Sequence, residues 1–183
     1  MSDLRPGMFV VASPALVDPN FYRAVVLLLE YDNDGAMGVI LDRPIDIDVS
    51  DHLPSWRTHL APPHRVFEGG PVQRDTAIGV AYRPGAEAIE TWRPVLGGVG
   101  LVDVSLEPAV IGGIQEARIF AGYSGWGAGQ LDMELAVGSW FPVEGNRDDV
   151  FDPVPTDLWK RVLRRQQPHI ARYAEYPTDL RSN

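Results

Sequence analysis

The chain has no cysteine, which excludes disulfides and thiolate chemistry and makes the cytoplasm the expected compartment. No apolar run approaches the roughly 20 residues that span a bilayer, so no membrane partner is expected. The opening residues, MSDLRPGMFVV, lack the basic-then-apolar order of a secretory signal. Positive charge is also scarce: 16 basic against 25 acidic residues give a net charge of −9, which opposes generic binding to nucleic acid, because phosphate neutralisation supplies most of that affinity. What is present is globular. With 183 residues and 45% hydrophobic content, one domain over residues 1–183 with a single core is expected, ending in an extended or frayed tail at 174–183.

Strands dominate the apolar patterning. Residues 8–13 and 23–31 read as strands, the second buried on both faces, with a helix as the alternative there. Asp34-Gly35 between 23–31 and the apolar run 36–42 is a hairpin signal. Further strands are expected at 65–69, 76–82, 99–104, 117–122 and 138–143, and helical patterns at about 49–57, 107–112, 129–137 and 156–166, the last with Thr156 as its N-cap. Strands cluster rather than alternate with long helices, so an α+β class is favoured over a doubly wound parallel sheet. The 16 prolines and 18 glycines fall between these segments, as bends and bulges of a curved sheet require.

Several motifs invite chemistry and fit it incompletely. Glu30, Asp32, Asp34 and Gly35 imitate the opening of a calcium loop, but its closing glutamate would fall on Leu41, so a turn is the simpler reading. Asp42, Asp46, Asp48 and Asp51 suit a half-solvated edge better than a magnesium site. Three of the four histidines lie in residues 52–64 without the compact spacing that gathers imidazoles on one metal. No metal site and no cofactor are therefore expected. The segment 122-GYSGWGAGQL-131 places tryptophan where a serine elbow needs its last glycine, and it fails the dinucleotide fingerprint in both registers. It remains a candidate glycine-rich turn between a strand and a helix, able to offer backbone N–H groups to an anion, although Asp132 and Glu134 compete for that helix start. Lys160, Arg161, Arg164 and Arg165 share one face of an expected helix whose other face is Leu158, Trp159, Val162 and Leu163; a solvated basic face is the bland reading, a nucleic-acid contact the sharp one.

Together, residues 6–44, 67-FEGGPV-72, 100-GLVDV-104, 120-FAGYSGWGAGQLDMELAVGSW-140 and 157-DLWKRVL-163 resemble the AlgH/YqgE family of small bacterial proteins. The resemblance implies a bent, bifurcated β-sheet forming a pseudo-barrel with helices packed outside. It leaves activity open, since relatives are described as transcriptional regulators linked to alginate production and no helix-turn-helix pattern accompanies that here. This chain carries Asp42 in 38-GVILDRP-44 where the family pattern usually has asparagine, and an ionised carboxylate cannot donate as an amide does.

The expected function is a non-enzymatic cytoplasmic binding or regulatory protein, with a protein partner or a small anionic ligand. If it has a ligand site, the expected residues are Arg43, Gly69, Gly70, Ser124, Gly125, Trp126 and Gln130: flexible backbone, polar side chains and one cation able to grip an anion with two donors. The rivals are an enzyme or binding protein for a nucleotide or phosphorylated small molecule, in which Arg43 and Gly125–Gly129 would share one pocket, and direct DNA regulation through the basic helical face.

Overall fold

The structure, a computed structural model, describes residues 3–85 and 87–178. Alternating apolar side chains organise its centre. In β1 (Phe9–Ala12) and β2 (Val25–Asp32), Phe9, Val11, Val25, Leu27 and Leu29 enter one core cluster, while Val10, Ala12, Val26 and Leu28 enter another on the opposite face. Strands apolar on both faces must be covered on both, and these two lie inside the sheet. β2 turns into β3 (Gly35–Ile40), with Asp32 paired to Gly35 as the Asp-Gly signal requires. The remaining strands are β4 (Phe67–Glu68), β5 (Val72–Tyr82), β6 (Trp92–Leu96), β7 (Val99–Val102), β8 (Glu116–Gly127) and β9 (Trp140–Val143).

They form a nine-stranded sheet of order β6-β7-β5-β8-β3-β2-β1-β9, with β4 beside β8 as its parallel partner and the other pairs antiparallel. The sheet curls strongly into a half-barrel with helices beyond it, as the family resemblance implies. Each terminal strand carries a proline, Pro94 in β6 and Pro142 in β9, which withholds an N–H from any added strand.

The helices are short: α1 (Pro108–Ile111), α2 (Gln130–Ala136), α3 (Arg147–Val150), α4 (Leu158–Arg164) and α5 (Pro168–Ala171). On α4 the expected apolar face is buried in the core, and Trp159 Nε1 donates to the Ala12 carbonyl at 2.8 Å. Four local expectations are corrected. Residues 49–57 form two 3-10 runs, Val49–Asp51 and Pro54–His59, because Pro54 cannot continue a helical hydrogen-bond ladder. Thr156 caps nothing; it sits within a 3-10 turn, Pro155–Asp157, that leads into α4. The strand expected to stop at 122 runs on to Gly127. Finally, the tail is docked as far as Thr178: Ala174 is buried, Tyr22 Oη donates to the Thr178 carbonyl at 2.6 Å and Arg23 to the Tyr176 carbonyl at 2.7 Å. The end of that expected tail, 179–183, lies outside the described residues.

One crossing explains the Gly69-Gly70 pair. β4 runs on the β3 side of β8, with Ile40 N–H donating to the Gly69 carbonyl, whereas β5 occupies the other side. The chain therefore passes over β8 between Gly69 and Val72, and a Cβ on either glycine would strike the backbone of Gly122 or Tyr123. Gly122 completes the contact in the left-handed region, at φ +71°.

Candidate functional site

The glycine-rich segment singled out by the sequence is a strand, and its side chains face inward. Gly127, Trp126, Gly125 and Ser124 pair with Gly35, Ala36, Met37 and Gly38. Ser124 is fully buried and its Oγ donates to the Gly69 carbonyl at 3.1 Å. Trp126 is also buried, stacks on Phe21 and meets Trp140 edge-on at 5.6 Å. Both indole N–H groups end on one oxygen: Trp126 and Trp140 donate to Glu134 Oε2 at 2.9 and 2.8 Å. Gln130 closes the arrangement, accepting from Gly127 N–H and donating to Glu134 Oε1. The block 120–140 thus clamps α2 to the sheet; Gly125, Gly127 and Gln130 are its exposed members among the residues named above.

Arg43 does not share a cavity with that segment. Its Nη atoms donate to the carbonyls of Asn20 and Tyr22, and it lines a shallow recess with Val17, Pro19, Tyr22 and Glu68. Gly129 instead lines a recess beside the β2–β3 hairpin. Next to Arg43, Asp42 accepts from Val25 N–H at 3.1 Å. Part of the residue is exposed, but its carboxyl group is enclosed, and desolvation pushes its pKa up from 3.8 to about 7 against the opposing pull of that N–H and of Arg43. A protonated carboxyl is both donor and acceptor, which is the hydrogen-bonding character of the amide found in the family pattern.

The basic face of α4 is largely committed to internal acids. Arg161 meets Asp152 at 2.6 Å, Arg165 grips Asp149 with two donors, and Arg164 pairs with Glu175 at 2.9 Å. Asp149 and Asp152 are buried, so these contacts dock α4 against α3 and the residues after it. Sequence reasoning also passed over Arg118, the lone charge in the apolar run 117–121. It is buried, its guanidinium lies 4.3 Å from the Phe67 ring, and it donates to the carbonyls of Pro62, Val150 and Asp152. Desolvation lowers its pKa to about 10, opposed by the charges of Glu116 and Asp152, so it stays cationic at neutral pH.

A largely apolar concavity lies elsewhere. β5 pairs with β8 at Val72↔Tyr123 and again at Ala77↔Ala121, so Gln73–Thr76 arch over the single residue Gly122. Gln73 is left-handed, at φ +47°. Beneath the arch, the segment carrying Ile47, Val49 and Leu53 packs over the sheet and leaves a recess of about 380 Å3 against Val66, Ile119, Phe120 and Ala121. His52, Arg74, Asp75 and Thr76 stand at its polar margin, and Arg74 is held by a loose contact to Glu68 at 3.5 Å. On the other side of Ile47 is a polar cleft with Arg57, His64 and Arg65, the last paired with Asp46 at 2.5 Å. Among the described residues, no group of three or more His, Asp or Glu side chains is placed to hold a metal ion.

Comparison with known proteins places this architecture. A model of the AlgH-like family matches residues 9–171. The UPF0301 proteins of Streptomyces avermitilis and Streptomyces coelicolor are each 49% identical over 178 residues, covering 94% of this chain and 92% of each relative. The crystal structure of a Corynebacterium diphtheriae protein superposes with a TM-score of 0.90 at 28% identity, over 96% of this chain and 94% of that one. The solution structure of AlgH from Pseudomonas aeruginosa gives 0.63 at 28% identity, over 86% and 88%. The chain therefore belongs to the AlgH-like family.

Proposed function

We propose that this chain is a non-enzymatic, cytoplasmic binding or regulatory protein that takes a small, largely apolar ligand with one acceptor-bearing end in the recess under the β5 arch. The observation carrying the proposal is that recess: a concavity of about 380 Å3 with an apolar floor and a few convergent polar groups, the usual composition of a small-molecule site. Ile119, Val66 and Ala121 supply the floor, while Arg74, loosely engaged by Glu68, and Thr76 supply donors at the margin. A non-enzymatic role is favoured by Ser124, whose hydroxyl is buried and spent on a carbonyl instead of standing beside a base.

The anion-binding reading at Arg43 has less support, because both Nη atoms already serve carbonyls and Glu68 shares the recess. DNA binding through Lys160, Arg161, Arg164 and Arg165 has less again, with three of those charges paired. The test is titration with anilinonaphthalene sulfonate, an aromatic body bearing one anion, for the parent and for Ala77→Trp, which fills the recess from its rim. Saturable one-to-one fluorescence that disappears in Ala77→Trp at an unchanged melting temperature supports the proposal. Equal binding by the two proteins, or none by the parent, rejects it.

A further inference from the structure

The charges around the recess under the β5 arch are held unevenly, and the ligand's head group follows from that, given that the recess is the binding site as proposed above. Arg74 reaches the Glu68 carboxylate only at 3.5 Å, beyond the span of a good charge-assisted hydrogen bond, whereas Arg5, Arg93 and Arg164 hold their acids at 2.7, 2.8 and 2.9 Å. The loosely joined pair belongs to two hollows: Arg74 lines the apolar recess, and Glu68 lines the shallow one that contains Arg43. Gln73–Thr76 have no pairing partners on β8, so Arg74 can shift with the arch without disturbing the β5–β8 ladder. His52 and Thr76 add a ring nitrogen and a hydroxyl at the margin, and Asp75 is the one carboxylate that lines the recess among the described residues. These groups favour an anion. An incoming carboxylate replaces Glu68 on Arg74 and leaves that cation paired, whereas an incoming ammonium would meet only Asp75 and would lie beside Arg74.

We infer that the ligand is a free monocarboxylate with a medium-length apolar chain, and that its carboxylate takes the place of Glu68 on Arg74. A planar guanidinium matches a carboxylate with two donors, a geometry that the present contact with Glu68 does not reach. Volume sets the chain: at roughly 30 Å3 per water-sized heavy atom, a recess of about 380 Å3 holds on the order of a dozen non-hydrogen atoms, as in octanoate or decanoate. The chain lies on Val66, Ile119 and Ala121, with Ile47, Val49 and Leu53 over it. Glu68, released from Arg74, stays in the shallow hollow where Arg43 is the neighbouring cation.

The test is isothermal titration calorimetry of the full chain with hexanoate, octanoate, decanoate and dodecanoate, with octanol and octylammonium as head-group controls. One-to-one binding is expected to tighten about fourfold per added methylene as far as decanoate and to gain nothing further with dodecanoate. Octanoate is expected to bind at least about tenfold more tightly than octanol or octylammonium, and Arg74→Gln to erase that preference while octanol loses little. Glu68→Gln removes the competing carboxylate, so it should strengthen octanoate severalfold in the parent and have little effect in the Arg74→Gln background. Equal affinity for octanoate and octanol overturns the head-group assignment and leaves the recess as an apolar site. A preference that survives Arg74→Gln overturns it too, because the carboxylate then binds elsewhere. If anilinonaphthalene sulfonate fills the recess and no alkanoate binds, this inference fails alone; if neither binds, the proposed function fails with it.

Discussion

Two stretches of β8 solve the same problem in opposite ways. Toward Gly127, the strand is sealed: Trp126, Gln130 and Glu134 satisfy one another, Ser124 is spent on the Gly69 carbonyl, and the recess that remains is outside, beyond α2. Around Gly122, β5 lifts off, the overlying segment supplies apolar side chains, and a recess stays open. The most motif-like residues in the chain therefore build scaffold, whereas the candidate ligand site is made where no motif marks it.

The contrast is broken most severely at Arg118, which ties β8 to the carbonyls at Pro62, Val150 and Asp152. Arg118→Met is expected to cost about 3–5 kcal/mol, because it keeps the apolar stem but strands three acceptors and the Phe67 contact. Urea titration measures it, and a loss below about 1 kcal/mol would show the carbonyls finding other donors. The clamp comes next. Glu134→Ala leaves two indole N–H groups without their acceptor and is expected to cost about 2–4 kcal/mol, while Glu134→Gln, whose carbonyl oxygen still accepts, costs far less. If both variants lose the same amount, the charge of Glu134, not its geometry, holds α2.

How far these features were legible follows from what local pattern can encode. The β2–β3 hairpin, the α2 helix and the apolar face of α4 were readable because each is set by residues near one another in sequence. β6 was missed since Pro94 argues against a strand, except at a sheet edge, which only the topology supplies. The continuation of β8 through Gly125 and Gly127 was read as a turn, because the partner strand β3, some ninety residues earlier, is what makes those glycines part of a ladder. Arg118 left one signal, a single charge inside an apolar strand, and the recess left none: its walls come from residues 47–53, 66, 74–77 and 119–121.

Asp42, beyond the far end of β3, sharpens the comparison through pH. Its folded pKa is raised above the ordinary carboxylate value, so the native state holds the proton more tightly than the unfolded chain. The stability it contributes is fully present below pH 3.8 and falls as pH rises toward about 7, where the native carboxyl ionises; the change from 3.8 to about 7 corresponds to about 4 kcal/mol. Asp42→Asn removes that dependence. It is expected to match the parent near pH 4 and to exceed it by about 1–3 kcal/mol at pH 8, part of the full span because an NH2 group must fit where a carboxyl oxygen sat. Parallel stability–pH curves for the two proteins would place the ionisation elsewhere.

The smallest effect on stability is expected at the arch itself, and there stability and binding should part. Gln73 occupies the left-handed region without being glycine, as does His64 in the neighbouring cleft, and such strain persists where surrounding structure imposes it. Gln73→Gly relieves the steric cost and adds backbone freedom to the unfolded chain, two terms of about 1 kcal/mol and opposite sign, so the melting temperature should barely move. The arch, however, loses the side chain that restricts it to one conformation. Anilinonaphthalene sulfonate is therefore expected to bind Gln73→Gly more weakly than the parent. Unaltered affinity would mean that the arch is held open by its contacts with β8 alone, and that the strain at Gln73 serves only to carry the chain over Gly122.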